Sequence, residues 1–232
     1  MPEAIFLAPD RTTSARGAKP VDYGCLSARD SDPRAELRRL YRGLRLDGFE
    51  IPTGDRRAVE RSAGSPIYGE LRPTATIRLL ARLGLGRRDQ FVDLGSGLGK
   101  VVLLAAMTTP VGRALGVELS ATRVDVAARV LAQAQRERVA GTRRASFVRA
   151  DMLRHPLDQA TVIYTCSTAF SSAFMARLQR RMVELPRLRT LVSLQDFDPH
   201  PAFELREVVR LDASWKRGTK VHIYARRAGL MW

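Results

Sequence analysis

Three glycines at alternate positions, Gly95, Gly97 and Gly99, follow the run Phe91-Val92-Asp93-Leu94 and precede Lys100 and the apolar segment Val101 to Met107. Glycine is needed where the backbone takes positive φ or must approach a ligand with no Cβ in the way. A helix that starts just past such a turn offers unpaired N–H groups and a partial positive charge to an anion. A short buried strand, a glycine turn carrying Ser96 and then a helix therefore predict a nucleotide-type cofactor site. The spacing departs from the G-x-G-x-x-G dinucleotide fingerprint, so a purely structural turn in another α/β protein is the competing reading.

Downstream residues decide between the two. After the breaker Pro110, Arg113 to Glu118 reads as a second strand with an acid at its carboxyl end. A carboxylate about twenty residues past the glycine turn suits the hydroxyls of a ribose. A third strand, Ser146 to Ala150, ends at Asp151-Met152. The set formed by Asp93, the glycine turn, Glu118 and Asp151-Met152 resembles the class I S-adenosylmethionine (SAM) methyltransferases. The resemblance implies that the second-strand acid holds the ribose and that the residues after the third strand frame the adenine.

These residues need a scaffold, and 232 residues suit one α/β domain with a modest extension. No apolar run approaches the roughly 20 residues needed to cross a bilayer. The start M-P-E-A-I-F-L-A places an acid before a very short apolar run, so no secretory signal is expected and a cytoplasmic protein is. Cys25 and Cys166 lie far apart and give neither a metal spacing nor a disulfide framework. The formal net charge is +15, and Lys stands only at 19, 100, 216 and 220, so Arg makes up the rest of the basic residues. Such a surface could attract nucleic acid or an acidic partner, while codon bias in a GC-rich genome would give the same composition without function.

Along the chain, residues 1 to about 33 are expected to be a flexible basic arm, and 34–70 a helix (Pro33 to Leu46, with Leu37, Leu40, Tyr41 and Leu44 at helical spacing) followed by a lid loop. Residues 47 to 66, with scattered Gly and Pro, read as loop, and 71–232 as the cofactor-binding domain. A helix from about Thr74 to Leu83 carries Ile77, Leu80, Ala81 and Leu83 toward the sheet. Ser120 is a candidate N-cap for a helix from Ala121 to Val139. Thr161 to Cys166 forms a fourth strand, Ser171 to Leu185 a helix and Thr190 to Gln195 a fifth strand. Leu205 to Leu211 and Val221 to Arg226 form a closing antiparallel pair. The expected architecture is a doubly wound, mostly parallel seven-stranded α/β sheet with an N-terminal helical extension.

A closer resemblance covers about Ile67 to Arg227. Its motifs are Y-G-E (68–70), F-V-D-L-G-S-G-x-G with V-V-L (91–103), G-V-E (116–118), Ala169-Phe170, V-S-L-Q-D-F-D-P (192–199), and S-W followed by a glycine and V-x-x-Y (214–224). In these the chain is similar to the disruptor-of-telomeric-silencing, non-SET histone lysine methyltransferases. The resemblance implies that Tyr68, Gly69 and Glu70 lie over the methionine end of SAM. Asp93, Gly95, Ser96, Gly97, Gly99 and Lys100 would cradle that end, with Glu118 on the ribose and Asp151-Met152 at the adenine. Phe170, Trp215 and Tyr224, with Cys166 and Ser167 nearby, would line a channel for a lysine side chain of a protein substrate. The chain departs where the family carries an Asn pair and a Phe (here Cys166, Ser167 and Thr168), a Gln (Lys100) and a Tyr (Ile223). The eukaryotic enzymes' long basic tail also has no counterpart here, which suits a prokaryotic source. An RNA or small-molecule acceptor, and a non-catalytic binding module, are the other readings. His222 could act as a base but on an alternating strand is expected to be structural or exposed. Neither a metal nor a membrane is expected to take part.

Overall fold

Strand β1 (Gln90–Leu94) is buried from Phe91 onward, with Phe91 in one apolar core and Val92 and Leu94 in the other. A strand covered on both faces needs such an unbroken apolar run, interrupted here only by Asp93. The computed structural model describes residues 32–44, 50–62 and 64–227. The expected N-terminal arm falls almost wholly outside the described residues.

β1 lies inside a seven-stranded sheet, between β2 (Arg113–Glu118) and β4 (Val162–Thr165). The other strands are β3 (Ala145–Arg149), β5 (Thr190–Ser193), β6 (Phe203–Leu211) and β7 (Thr219–Arg226), in the order β3-β2-β1-β4-β5-β7-β6. β1 to β5 are parallel to their neighbours among themselves, and β7 runs antiparallel to both β5 and β6. Strand order reverses between β1 and β4, and parallel sheets open a crevice for ligands at such a switch point. The register pairs Leu94 with Val117 and with Thr165, so the carboxyl ends of β1, β2 and β4 reach one level.

Helices α1 (Pro33–Leu40), α3 (Pro73–Leu83), α4 (Lys100–Thr108) and α5 (Ala121–Arg136) contribute to the core that holds Phe91, while α6 (Ser172–Glu184) packs into the opposite one. Ser120 caps α5 and Ser171 caps α6, each hydroxyl accepting an amide three residues on. The expected sheet and its order of elements are present.

Three local expectations are corrected. Within 47–66, read as loop, Thr53–Arg61 is a helix, α2. Its one buried apolar side chain, Val59, gives almost no periodic signal, and Asp55 fixes the helix by a tertiary contact described below. The first helix ends at Leu40 rather than Leu46, although Tyr41 and Leu44 still pack on the core. The buried stripe of α3 is Ala75, Thr76, Leu79, Leu80 and Leu83, with Ile77 half-buried and Ala81 exposed, because packing on the core decides which face of the helix is covered.

Candidate functional site

The carboxyl ends of β1, β2 and β4 open into a cavity of about 510 Å³. Gly95 and Gly97, both at positive φ, form its floor. A Cβ on Gly97 would sit 2.5 Å from the Tyr68 ring, and one on Gly95 would meet the Met152 methyl at 3.4 Å, so the turn lets the opposing walls close in. Glu118 and Leu119 enter from β2, Asp151 and Met152 from the end of β3, and Cys166 and Thr168 to Phe170 from the end of β4. Tyr68 and Gly69 cover one side, and Trp215, in the turn between β6 and β7, lies against Gly69. Its ring is so close that a Cβ there would meet it at 2.4 Å.

Glu118 is held rather than free. Its Oε1 accepts the amides of Leu119 and Ser120 and its Oε2 that of Gly97, each at 2.9 Å. A carboxylate has about four acceptor positions, so one is left for a ligand hydroxyl. The same side chain thereby ties the β2 end to the glycine turn. Asp151 anchors its own turn by accepting the Leu153 amide at 2.8 Å.

Several expected site residues stand behind the wall. Asp93 is 2 % exposed, and its Oδ1 has no partner among the described residues, as is also true of Ser96 Oγ. Burial, and then the charge of Glu118, push the Asp93 carboxyl well above the usual range. Gly99, N-cap of α4 at positive φ, is packed under Phe147, where a Cβ would meet the ring at 2.4 Å. Lys100 Nζ pairs with Glu70 Oε1 at 2.6 Å, and Glu70 also accepts the Tyr68 hydroxyl, so this acid and lysine brace the lid residue instead of facing the cavity. Ser167 is buried, sharing a 2.8 Å hydrogen bond with Ser193 and accepting the Gln195 amide.

Tyr224 is not brought to this cavity. Its hydroxyl donates to Asp196 and accepts the Phe197 amide, within a second cavity beyond β5, because β7 pairs with β5 in a register that sets Tyr224 beside Leu191. His222 is 8 % exposed with Nδ1 unpartnered among the described residues, and is outside both cavities. Cys166 is on the wall, with burial and then Asp93 pushing its thiol up to about 12.

Other wall and support residues were not foreseen. Arg123 lies under the Tyr68 ring, its Cζ 5.2 Å from the centroid, and donates to the Pro66 carbonyl at 2.7 Å. In so Arg-rich a chain no sequence signal sets it apart. Asp55 of α2 accepts the Ser120 hydroxyl at 2.6 Å and the Thr122 amide at 2.8 Å, anchoring α2 to the start of α5. Burial raises its pKa, but these bonds outweigh that and leave it lowered. Gln195 donates to the Phe170 carbonyl at 3.0 Å and to that of Ser167, fixing the β4–α6 loop.

Residues 60–212 match the family model described as Histone methylation protein DOT1, which is more than half of the chain. The chain belongs to this family. Among curated relatives, the H3 lysine-79 specific histone-lysine N-methyltransferase of Caenorhabditis elegans is 30% identical over 136 residues, which are 53% of this chain and 14% of that protein. The corresponding protein of Emericella nidulans is 32% identical over 143 residues, 57% of this chain and 28% of its own length. The chain thus spans well under a third of these relatives. Among solved structures, an RNA methyltransferase from Salinibacter ruber in complex with S-adenosyl-L-homocysteine aligns with a TM-score of 0.51 at 23% identity, over 67% of this chain and 92% of that one. The magnesium protoporphyrin IX methyltransferase of Synechocystis PCC 6803 with bound SAM aligns at 0.53 and 11% identity, over 87% and 100%. At these identities the structural likeness shows the fold.

The DOT1 family implies SAM, and the cavity fits it. The glycine turn allows close approach of a ligand, and α4 has no side-chain cap to compete for its N-terminal amides. Glu118 would hold a ribose hydroxyl with its remaining acceptor position, and Met152 would offer an apolar edge to a base. The partnerless Asp93 Oδ1 and Ser96 Oγ are buried polar atoms of the kind a polar ligand or an ordered water satisfies.

Proposed function

We propose that this chain is a SAM-dependent protein lysine N-methyltransferase. One observation carries the choice of acceptor. The wall beyond the glycine turn is formed by Ile67, Cys166, Ala169, Phe170, Phe174 and Trp215, and Arg123 is the one basic residue among the described lining residues. Arg123 is turned to Pro66 and Tyr68. A nucleic-acid acceptor calls for a cationic trough, whereas this lining suits an alkyl amine.

SAM supplies an electrophilic methyl group on a cationic sulfonium, open to in-line attack. The protein's share is therefore positioning and exclusion of water. A lysine amine must be neutral to attack, and its ordinary pKa is about 10.4. Apolar walls at Phe170 and Trp215 disfavour the ammonium form by desolvation, and a neighbouring cation adds to that preference. Among the described lining residues, the thiol and the phenol are both held protonated at neutral pH. The Cys166 thiol is held protonated by burial, and Tyr68 is raised well above its ordinary value by burial and by Glu70. Tyr68, braced by Glu70 and Arg123, closes the cofactor side.

The test is incubation of the protein with methyl-labelled SAM and either histones or a cell lysate. Label in protein, recovered as methyl-lysine after hydrolysis, is expected. Label confined to nuclease-sensitive material would replace this reading with an RNA methyltransferase.

A further inference from the structure

The second cavity, about 590 Å³, lies on the far side of the Gln195 segment that holds the Phe170 loop. Its floor is aromatic. Phe197, Phe203 and Tyr224 are each under a tenth exposed, and the Phe197 and Tyr224 rings meet edge-on at 5.8 Å. Three carboxylates, Asp196, Asp198 and Glu204, line it as well. Asp196 and Asp198 are exposed on a chain of net charge +15, where acids are the scarcer kind. His200 and Arg227 share the lining, Arg226 already covers one face of Phe203 at 4.8 Å, and Glu204 is 3.4 Å from Arg206, so the carboxylates are partly offset.

We propose that this cavity is a subsite for a lysine or arginine side chain of an extended basic peptide segment. Aromatic faces beside carboxylates attract an organic cation and shelter its methylene stem. A peptide, not a free amine, is indicated by what lies next to it. β6 is the edge strand of the sheet, and its Leu205 and Val208 are 49 % and 43 % exposed. Their register partners on β7 are Tyr224 and His222, so they share the face that carries the cavity. An extended segment laid along β6 would cover this apolar strip while it delivers a cation to the acids. The inference deepens the reading of a protein acceptor, since residues flanking the methylated lysine would supply the cation.

The experiment is equilibrium binding of fluorescein-labelled oligolysine and oligoarginine peptides to the full chain without any methyl donor, followed by fluorescence anisotropy. Failure here is thereby distinct from failure to methylate protein. The double variant Asp198→Asn/Glu204→Gln is compared with Glu207→Gln, an exposed acid of the same strand paired with Arg82 and outside the cavity. Loss of two exposed ion pairs is expected to weaken peptide binding roughly five- to tenfold, with unchanged melting temperature and SAM affinity, while Glu207→Gln leaves it near wild type. No measurable peptide binding by the wild type, or an equal effect of Glu207→Gln and the double variant, would overturn the proposal.

Discussion

At the scale of single residues, Glu118 does two jobs with one carboxylate. It accepts the amides of Gly97, Leu119 and Ser120, which sets the glycine turn, and it faces the cavity with what acceptor capacity remains. Charge-assisted bonds contribute about 1.5–3 kcal/mol each. Glu118→Ala should therefore lower stability by about 3 kcal/mol or more in urea unfolding and abolish SAM uptake in calorimetry, while Glu118→Gln should weaken uptake and keep the fold. Asp93 makes a second, sharper case. A carboxyl whose folded-state pKa is raised stabilises the fold most below its unfolded value near 3.8, and that contribution is lost as pH rises. Thermal melts of the ligand-free protein should show stability declining with pH above the ordinary carboxylate range, and Asp93→Asn, which cannot ionise, should flatten that decline. A variant with the same slope as wild type would contradict it.

At the scale of elements, the lid is built from short-range sequence and held by long-range contacts. Tyr68 packs on Gly97, Glu70 pairs with Lys100 at the start of α4, and Arg123 of α5 supports the ring from below. Gly97→Ala adds a Cβ both at positive φ and 2.5 Å from the Tyr68 ring. It is expected to displace the lid and reduce SAM affinity at least about tenfold, at a strain cost of about 1–3 kcal/mol. Lys100→Met removes only a partly exposed ion pair and should cost about 1 kcal/mol or less, read as a modest rise in Kd for SAM. α2 is held through Asp55 on Ser120 and Thr122. Asp55→Ala, in effect the loss of a helix cap from outside, should cost about 1–2 kcal/mol in chemical denaturation.

At the scale of the whole molecule, the charge of +15 acts on stability before it acts on any partner. Among the described residues most ion pairs have partly exposed partners, as with Arg82 and Glu207 or Arg189 and Asp89. Self-repulsion among the remaining arginines favours expansion. Raising ionic strength from about 0.01 to about 0.15 M shortens the screening length from about 30 to about 8 Å. It should raise the melting temperature in scanning calorimetry, and a fall would mean that attractive pairs dominate.

The fold was legible because strands buried on both faces leave long apolar runs and glycine turns leave a spacing, both written locally. Glu118, Gly95 and Met152 could be placed in the cavity for the same reason, since each sits at or just past a strand end. Tyr224 could not, because its position depends on an antiparallel pairing with β5 that no local pattern records, and a strand's register decides which cavity its side chains reach. Lys100 and Glu70 are thirty residues apart, and only folding shows them as each other's partner. Helix α2 was hidden because it buries one apolar side chain, Val59, and is otherwise held by a carboxylate reaching another helix. Sequence by itself determined the strands, the turn and the acids at the strand ends, since these follow from backbone sterics and periodic burial. Tertiary structure alone decided what shares a cavity and what braces it, since those contacts join groups far apart along the chain.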